Sequence, residues 1–209
     1  MRVAGIDGTK GGWIAMVLED GNFSSDHLLQ PVQTDFSSLG DVAVIAVDVP
    51  IGFGPRAADA AARAYLIGAA STVFPAPSRE VLELPFGPGL GVPAQAHALG
   101  DRILWMTELA QRDPRVYEVH PEVSFRAMNN GMPLRYRKKS AGGAMERIEL
   151  LRRHRIVFDR LTDAARAPLD DVLDAAAAAW SGSRIEAGTA LSLPSPPEIL
   201  EGRATAIWY

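Results

Sequence analysis

The sequence predicts an α/β fold, a mixed β-sheet with helices on both faces, and three observations carry that expectation. The first quarter reads as strands. One of them, Val42 to Val49, contains the run Val42-Ala-Val-Ile-Ala-Val47, apolar on both faces, and the rest of the chain alternates alanine-rich helical segments with short strands. A strand that fails to alternate is covered on both sides, so this one belongs at the centre, at least partly parallel, with the first strand beside it.

In chain order, Val3 to Asp7 reads as the first strand and Trp13 to Leu18, after a Gly-rich turn, as the second. Ser24 to Val32 follows the turn Asp20-Gly21-Asn22 as a third. After Pro55 the pattern becomes helical over Arg56 to Ile67, then gives way to a Pro/Gly-rich loop from Ser71 to Pro93, long enough to suggest a functional role. A second helix is expected over Ala94 to Gln111. Val116 to Glu122 resumes strand alternation, with Glu118, His120 and Glu122 on one polar face; a half-exposed edge strand accounts for such a face, and Pro121 suits an edge. Val123 to Asn129 reads as a short helix, Asn130-Gly131 as a turn, and a basic loop runs on through Lys139 to a helix over Ala144 to Arg155. Pro168 precedes a helix over Leu169 to Ile185, whose alanines indicate burial, followed by a Pro-rich stretch and a strand from Ala204 to Tyr209. No repeat or linker divides the chain, so residues 1–209 are read as one domain.

A chain of 209 residues, 47% hydrophobic and 22% charged, buries a core without staples. With no cysteine, disulfides, thiolate metal sites and a cysteine nucleophile are excluded. No apolar run reaches the roughly 18 residues that span a bilayer, and Met1 to Asp7 enters a strand pattern without a signal-peptide core. The expectation is a soluble, cytoplasmic protein with no membrane partner. His27, His97, His120 and His154 are too scattered for a short zinc-binding pair, which leaves carboxylates, and hence magnesium or manganese, as the chemistry of any metal site. The net charge of −4 is unevenly spread: residues 135–160 hold nine Lys/Arg against three Asp/Glu, or +6, leaving 12 against 22, or −10, elsewhere.

The acids fall at telling places. Asp7 ends the first strand before Gly8-Thr9-Lys10-Gly11-Gly12, and Asp48 ends the central strand before Val49-Pro50-Ile51-Gly52. Ligands bind at that edge of open α/β sheets. Two acids there repel each other and shift each other's pKa unless a cation lies between them, although either one alone is also explained as a turn former. On the late helix Asp171 and Asp174 are three apart and share a side. Dipole and capping effects account for Asp170 and suit Asp171, but Asp174 begins the buried stretch and needs a partner.

Four segments together resemble a known family: Gly5-Ile-Asp-Gly-Thr-Lys-Gly-Gly-Trp13, Val47-Asp-Val-Pro-Ile-Gly52, Glu118-Val-His-Pro-Glu-Val-Ser-Phe125 and Asp170-Asp-Val-Leu-Asp-Ala175. They look like the predicted RNase H-like nuclease family catalogued as domain of unknown function 429. The resemblance extends to Arg56, Asp59 and Arg63, Val73-Phe-Pro-Ala-Pro-Ser-Arg79, Gln95-Ala96, Pro133-Leu134 and Lys138-Lys139, so it runs from about residue 3 to residue 190. It departs at Thr9 and near Ala58, where Cys is common in the family. What it implies is an RNase H-like mixed sheet flanked by helices, with strands one to three antiparallel, strand four parallel to strand one, and a helical and loop insertion after strand four. By the same resemblance Asp7, Asp48 and Asp174 match the acids that hold metal in that fold, Asp171 with Asp174 resembles the paired aspartates of the Holliday-junction resolvase branch, and Glu122 looks like an additional acid peculiar to this family.

The expected function is therefore phosphodiester hydrolysis in nucleic acid, by a metal-dependent nuclease with two magnesium or manganese ions about 3.5–4 Å apart. Asp7 would bridge the ions, with Asp48 and Glu122 or Asp174 completing the sites and Asp171 nearby. Lys10 is expected at a phosphate or the leaving oxygen, and Arg79 and Gln95, flanking the long loop, to orient substrate. Arg135, Arg137, Lys138 and Lys139, with Arg152, Arg153 and Arg155, offer the positive surface for nucleic acid, DNA or RNA, although a solvated helix face explains the same charges. Two competing readings are a nucleotide-dependent phosphotransferase of the sugar-kinase and actin type, suggested by Gly5-Ile-Asp-Gly-Thr-Lys10, and a noncatalytic nucleic-acid-binding protein on the same fold.

Overall fold

The computed structural model describes residues 1–31 and 35–209. Its centre is a five-stranded mixed sheet in the order β3-β2-β1-β4-β5, built from β1 (Arg2–Thr9), β2 (Gly12–Glu19), β3 (Asn22–Leu29), β4 (Val44–Val47) and β5 (Val116–Glu118). The first three strands form an antiparallel meander, and β4 runs parallel to β1 with Ile6 opposite Val47. Val32, expected to end the third strand, lies outside the described residues. The β1–β2 turn is as tight as a hairpin allows: Thr9 faces Gly12 across Lys10 and Gly11, and Gly11 takes the positive φ of +85° that such a turn requires.

Helices cover both faces. Gly100–Arg112 (α4) packs Ile103 and Met106 against Ala4, Ile6, Ile45 and Val47, while Leu169–Glu186 (α7) covers Val3, Val44 and Met16 on the opposite face, backed by Pro121–Met128 (α5) and Ala141–Arg153 (α6). The strand period of two therefore turns Val3, Gly5, Asp7 and Thr9 toward α7 and Ala4, Ile6 and Gly8 toward α4. On β4 the same rule sends Val44, Ala46 and then Asp48 toward α7.

At Gly5 the sheet and α7 meet backbone to backbone. A Cβ there would lie 1.9 Å from the Ala179 amide nitrogen and 2.2 Å from the Ala175 carbonyl oxygen, so only glycine opposite a run of alanines lets the helix lie this close.

Several elements differ from the sequence expectation. Alternation past Glu118 does not continue as a strand: Pro121, at the first helical position, starts α5, so Glu122 lies in its first turn. The second inserted helix is broken at Leu99 into Ala94–Ala98 (α3) and α4. Within the 71–93 loop, Arg79–Glu83 forms α2, capped by the Ser78 hydroxyl. The Pro-rich stretch is a strand, Ser192–Leu200 (β6), paired with Arg203–Trp208 (β7) and irregular between Leu193 and Glu198, where Pro194, Pro196 and Pro197 offer no N–H to the ladder. This hairpin packs against Ala57–Tyr65 (α1) at the β5 edge, where Val119 bridges to Trp208. Among the described residues no helix is long and apolar enough to cross a membrane.

Candidate active site

Parallel pairing sets the site. Because Ile6 sits opposite Val47 and the Asp48 amide donates to the Ile6 carbonyl at 2.9 Å, Asp7 and Asp48 leave adjacent strands at the same level and on the same face. The close seating of α7 at Gly5 then brings Asp171 and Asp174 to that edge, and α5 adds Glu122. All five carboxylates line one cavity of about 430 Å³, together with Lys138, His120, Gln95, Arg102 and the Ser71 to Phe74 segment.

Each acid has its own surroundings. Asp7, 8% exposed, accepts the Gly8 amide at 2.7 Å. Burial, then the charges of Asp48, Asp174 and Asp171, push its carboxyl well above the ordinary carboxylate range. Asp48 is pushed up to about 7, chiefly by burial, with Glu118 and Glu122 adding to it against the opposing Lys138. Asp174, 2% exposed, is raised to about 6 by burial, again against Lys138. The Lys138 ammonium donates to Asp174 Oδ2 at 2.7 Å; burial works against its charge, but Asp174, Asp48 and Asp7 hold it above its ordinary value. Asp174 Oδ1 is buried without a partner among the described residues. Asp171 accepts the Thr9 hydroxyl at 2.8 Å, and Glu122 accepts Arg147 Nη2 at 2.6 Å.

A second buried charge cluster, Arg56 with Asp59 and Glu118, lines the same cavity. Arg56 binds Glu118 through both Nη atoms, Asp59 through Nε and Nη2, and the Ile51 carbonyl, while Glu118 also accepts the Ile51 amide at 2.7 Å. These bonds tie α1 and β5 to the segment that follows Asp48. His120 stands at the start of α5, its Nε2 donating to the Thr72 carbonyl at 3.3 Å and its Nδ1 unpartnered; burial lowers its pKa.

The remaining sequence candidates divide. Gln95 lines the carboxylate cavity; Lys10 lines only the adjoining one. Arg79 does not border the acids: its guanidinium lies 4.5 Å over the Phe53 ring, with Glu83 and Glu108 within 4 Å, because α2 turns it toward α4. Arg135, Arg137 and Lys139 are exposed, whereas Lys138, grouped with them in the sequence, points inward at Asp174. Arg147, read as one more charge of the basic segment, is buried on Glu122. Its spacing of three and four residues from Leu150 and Leu151 is the signal that marks it as inward-facing. Arg102 also escaped sequence reasoning, and no motif surrounds it.

The donors suit a hard divalent cation, being carboxylate oxygens that include one buried and unpartnered atom. Among the described residues no three His, Asp or Glu close in as a ready-made metal group, and the Lys138 ammonium supplies positive charge between them. The acids are thus gathered but not drawn together. Residues 5–199 match the family described as "Protein of unknown function (DUF429)". No curated protein and no solved structure matches the chain.

Proposed function

The chain belongs to the DUF429 family, whose model spans residues 5–199, and from that premise we propose that it is a divalent-metal-dependent nuclease on an RNase H-like fold. The strand order and the parallel β1–β4 pairing support the fold assignment. One observation carries the chemistry. Five acids from β1, the end of β4, α5 and α7 line a single cavity, where burial and mutual repulsion raise Asp7, Asp48 and Asp174. Such a cluster is costly in an empty fold and is explained by a cation it holds.

Asp7, Asp48, Glu122 and Asp174 would hold magnesium or manganese, which when bound neutralises a phosphodiester and lowers the pKa of water. The chain's own part begins with Lys138, which donates to Asp174 and would stand within the same cavity to meet a phosphate. Arg147 fixes Glu122, and the Arg56–Glu118 cluster fixes the segment behind Asp48. Ser71 to Phe74 line the same cavity.

The test is a cleavage panel of single strands, duplexes, RNA–DNA hybrids and junctions, run with magnesium or manganese. Asp7→Asn is expected to lose turnover by at least about a thousandfold, in line with removal of a central electrostatic element, while keeping its fold. Full activity in Asp7→Asn, or no cleavage of any substrate by the wild-type protein, overturns the reading.

A further inference from the structure

Beside the carboxylate cavity lies another, of about 550 Å³, and the two share Gly8, Arg102 and Asp171. They are compartments of one groove that passes over the β1–β2 turn. Arg102 stands at the step between them. It rises from the first turn of α4, and its Nη2 donates to the Thr9 carbonyl at 2.6 Å and the Gly12 carbonyl at 3.0 Å. Its guanidinium carbon lies 4.9 Å from the centre of the Trp13 ring. Gly8, which the strand period turns toward α4, leaves it room: a Cβ there would lie 2.2 Å from Arg102 Nη1.

This anchoring uses both Nη2 hydrogens. Nε and Nη1 have no protein partner among the described residues, and neither is among the buried atoms left unpartnered. Both two-nitrogen edges of a guanidinium include Nη2, so no bidentate edge is left; what remains is a rigidly held cation with single donors at Nη1 and at Nε, each able to meet one phosphate oxygen. Around it, Lys10 is matched by Asp101 and Asp171, so the second compartment is not basic as a whole, and Asp171 is engaged by the Thr9 hydroxyl. The positive character is local to this guanidinium. Trp105, half-buried on the same wall, adds an apolar surface for sugar or base.

We propose that the two compartments together bind one nucleic-acid strand of at least two nucleotides, and that Arg102 grips the phosphate next to the one presented to the carboxylates. The proposal rests on the nuclease reading and names its substrate as a polymer rather than a mononucleotide.

The experiment measures binding of a short fluorescent oligothymidylate to the full chain across a salt series, in magnesium and in an Asp7→Asn background that prevents turnover. Adding Arg102→Met is expected to weaken binding about tenfold and to lower the slope of log affinity against log salt by about 0.7, the share of one phosphate on a single strand. Arg102→Lys should recover the slope but not the affinity, since it returns the charge without the planar group that is anchored on the turn. Gly8→Ala keeps the charge but displaces the guanidinium tip, and should weaken binding with little change in Tm; it carries the test if Arg102→Met fails to fold. Unchanged affinity and slope in Arg102→Met and Gly8→Ala would overturn the proposal and leave the nuclease reading standing, with Arg102 only bracing the turn. No binding by the Asp7→Asn protein itself would overturn both.

Discussion

At the scale of single residues, the raised carboxyls tie stability to pH. Asp48 near 7, Asp174 near 6 and Asp7 above its ordinary range each keep a proton in the folded chain at pH values where the unfolded chain has already lost it. The folded state binds more protons, so stability falls as pH rises through this range. Without divalent metal, denaturant titrations at pH 6.5 and pH 8 should differ by on the order of 1–3 kcal/mol in favour of pH 6.5. Below that range His120 works the other way, because burial keeps it neutral in the fold while the unfolded chain protonates it. A flat profile between the two pH values would contradict the electrostatic account of the cluster. Lys138→Met removes the ammonium from Asp174 and should steepen the fall with pH, with added magnesium restoring part of the stability; no response to magnesium would count against metal at this site. In the sequence, Asp7, Asp48 and Asp174 were visible because each stands at a recognisable boundary, a strand end or the start of a buried helix. Lys138 was read as surface because its neighbours Arg137 and Lys139 are surface, and nothing in the local pattern records a contact 36 residues away.

Among the elements, α7 and β1 form the pair on which the site depends. Gly5→Ala should force the helix off the strand, since the added carbon meets backbone rather than a flexible side-chain tip, at a cost of at least about 3 kcal/mol. Thermal unfolding reads the loss, and the variant should also lose activity as Asp174 withdraws from Asp7. Arg56→Met leaves Glu118 and Asp59 buried and unpaired, and should destabilise by about 3–5 kcal/mol in denaturant titration, with Asp59→Asn milder because Arg56 keeps Glu118. The meander, the central strand and the alanine-rich helix were legible because period and composition agree there. The end of β5 was not. Glu118, His120 and Glu122 keep perfect alternation, and only the preference of Pro121 for the first turn of a helix breaks it. β6 was hidden by its prolines, which pair nowhere in the interrupted middle of the hairpin yet do not prevent pairing on either side. The break at Leu99 leaves the apolar period intact, so the pattern carries no trace of it; the glycine that follows packs under Leu82 of α2.

For the whole molecule, the uneven charge seen in the sequence resolves into two populations. Arg147 and Lys138 turn inward to acids, and the exposed members, among them Arg135, Arg137, Lys139 and Arg155, remain as an outer basic surface on a chain of net charge −4. Whole-chain features also decide which parts of the site yield first. β1 is hydrogen-bonded on both sides, to β2 and β4, and is covered by α7, so its amides exchange with solvent only when the entire sheet opens. Lys138 rides on the turn from Arg137 to Ser140, held by one backbone bond and by the Ser140 hydroxyl, within a segment that is largely exposed. That turn is expected to open before the sheet does, at the cost of the Lys138–Asp174 ion pair. Hydrogen exchange should therefore show residues 135–140 losing protection long before residues 3–8. Asp7 and Asp48 are thereby placed in the part of the protein expected to open last, while the ammonium that balances Asp174 would depart and return on the faster clock of a surface turn.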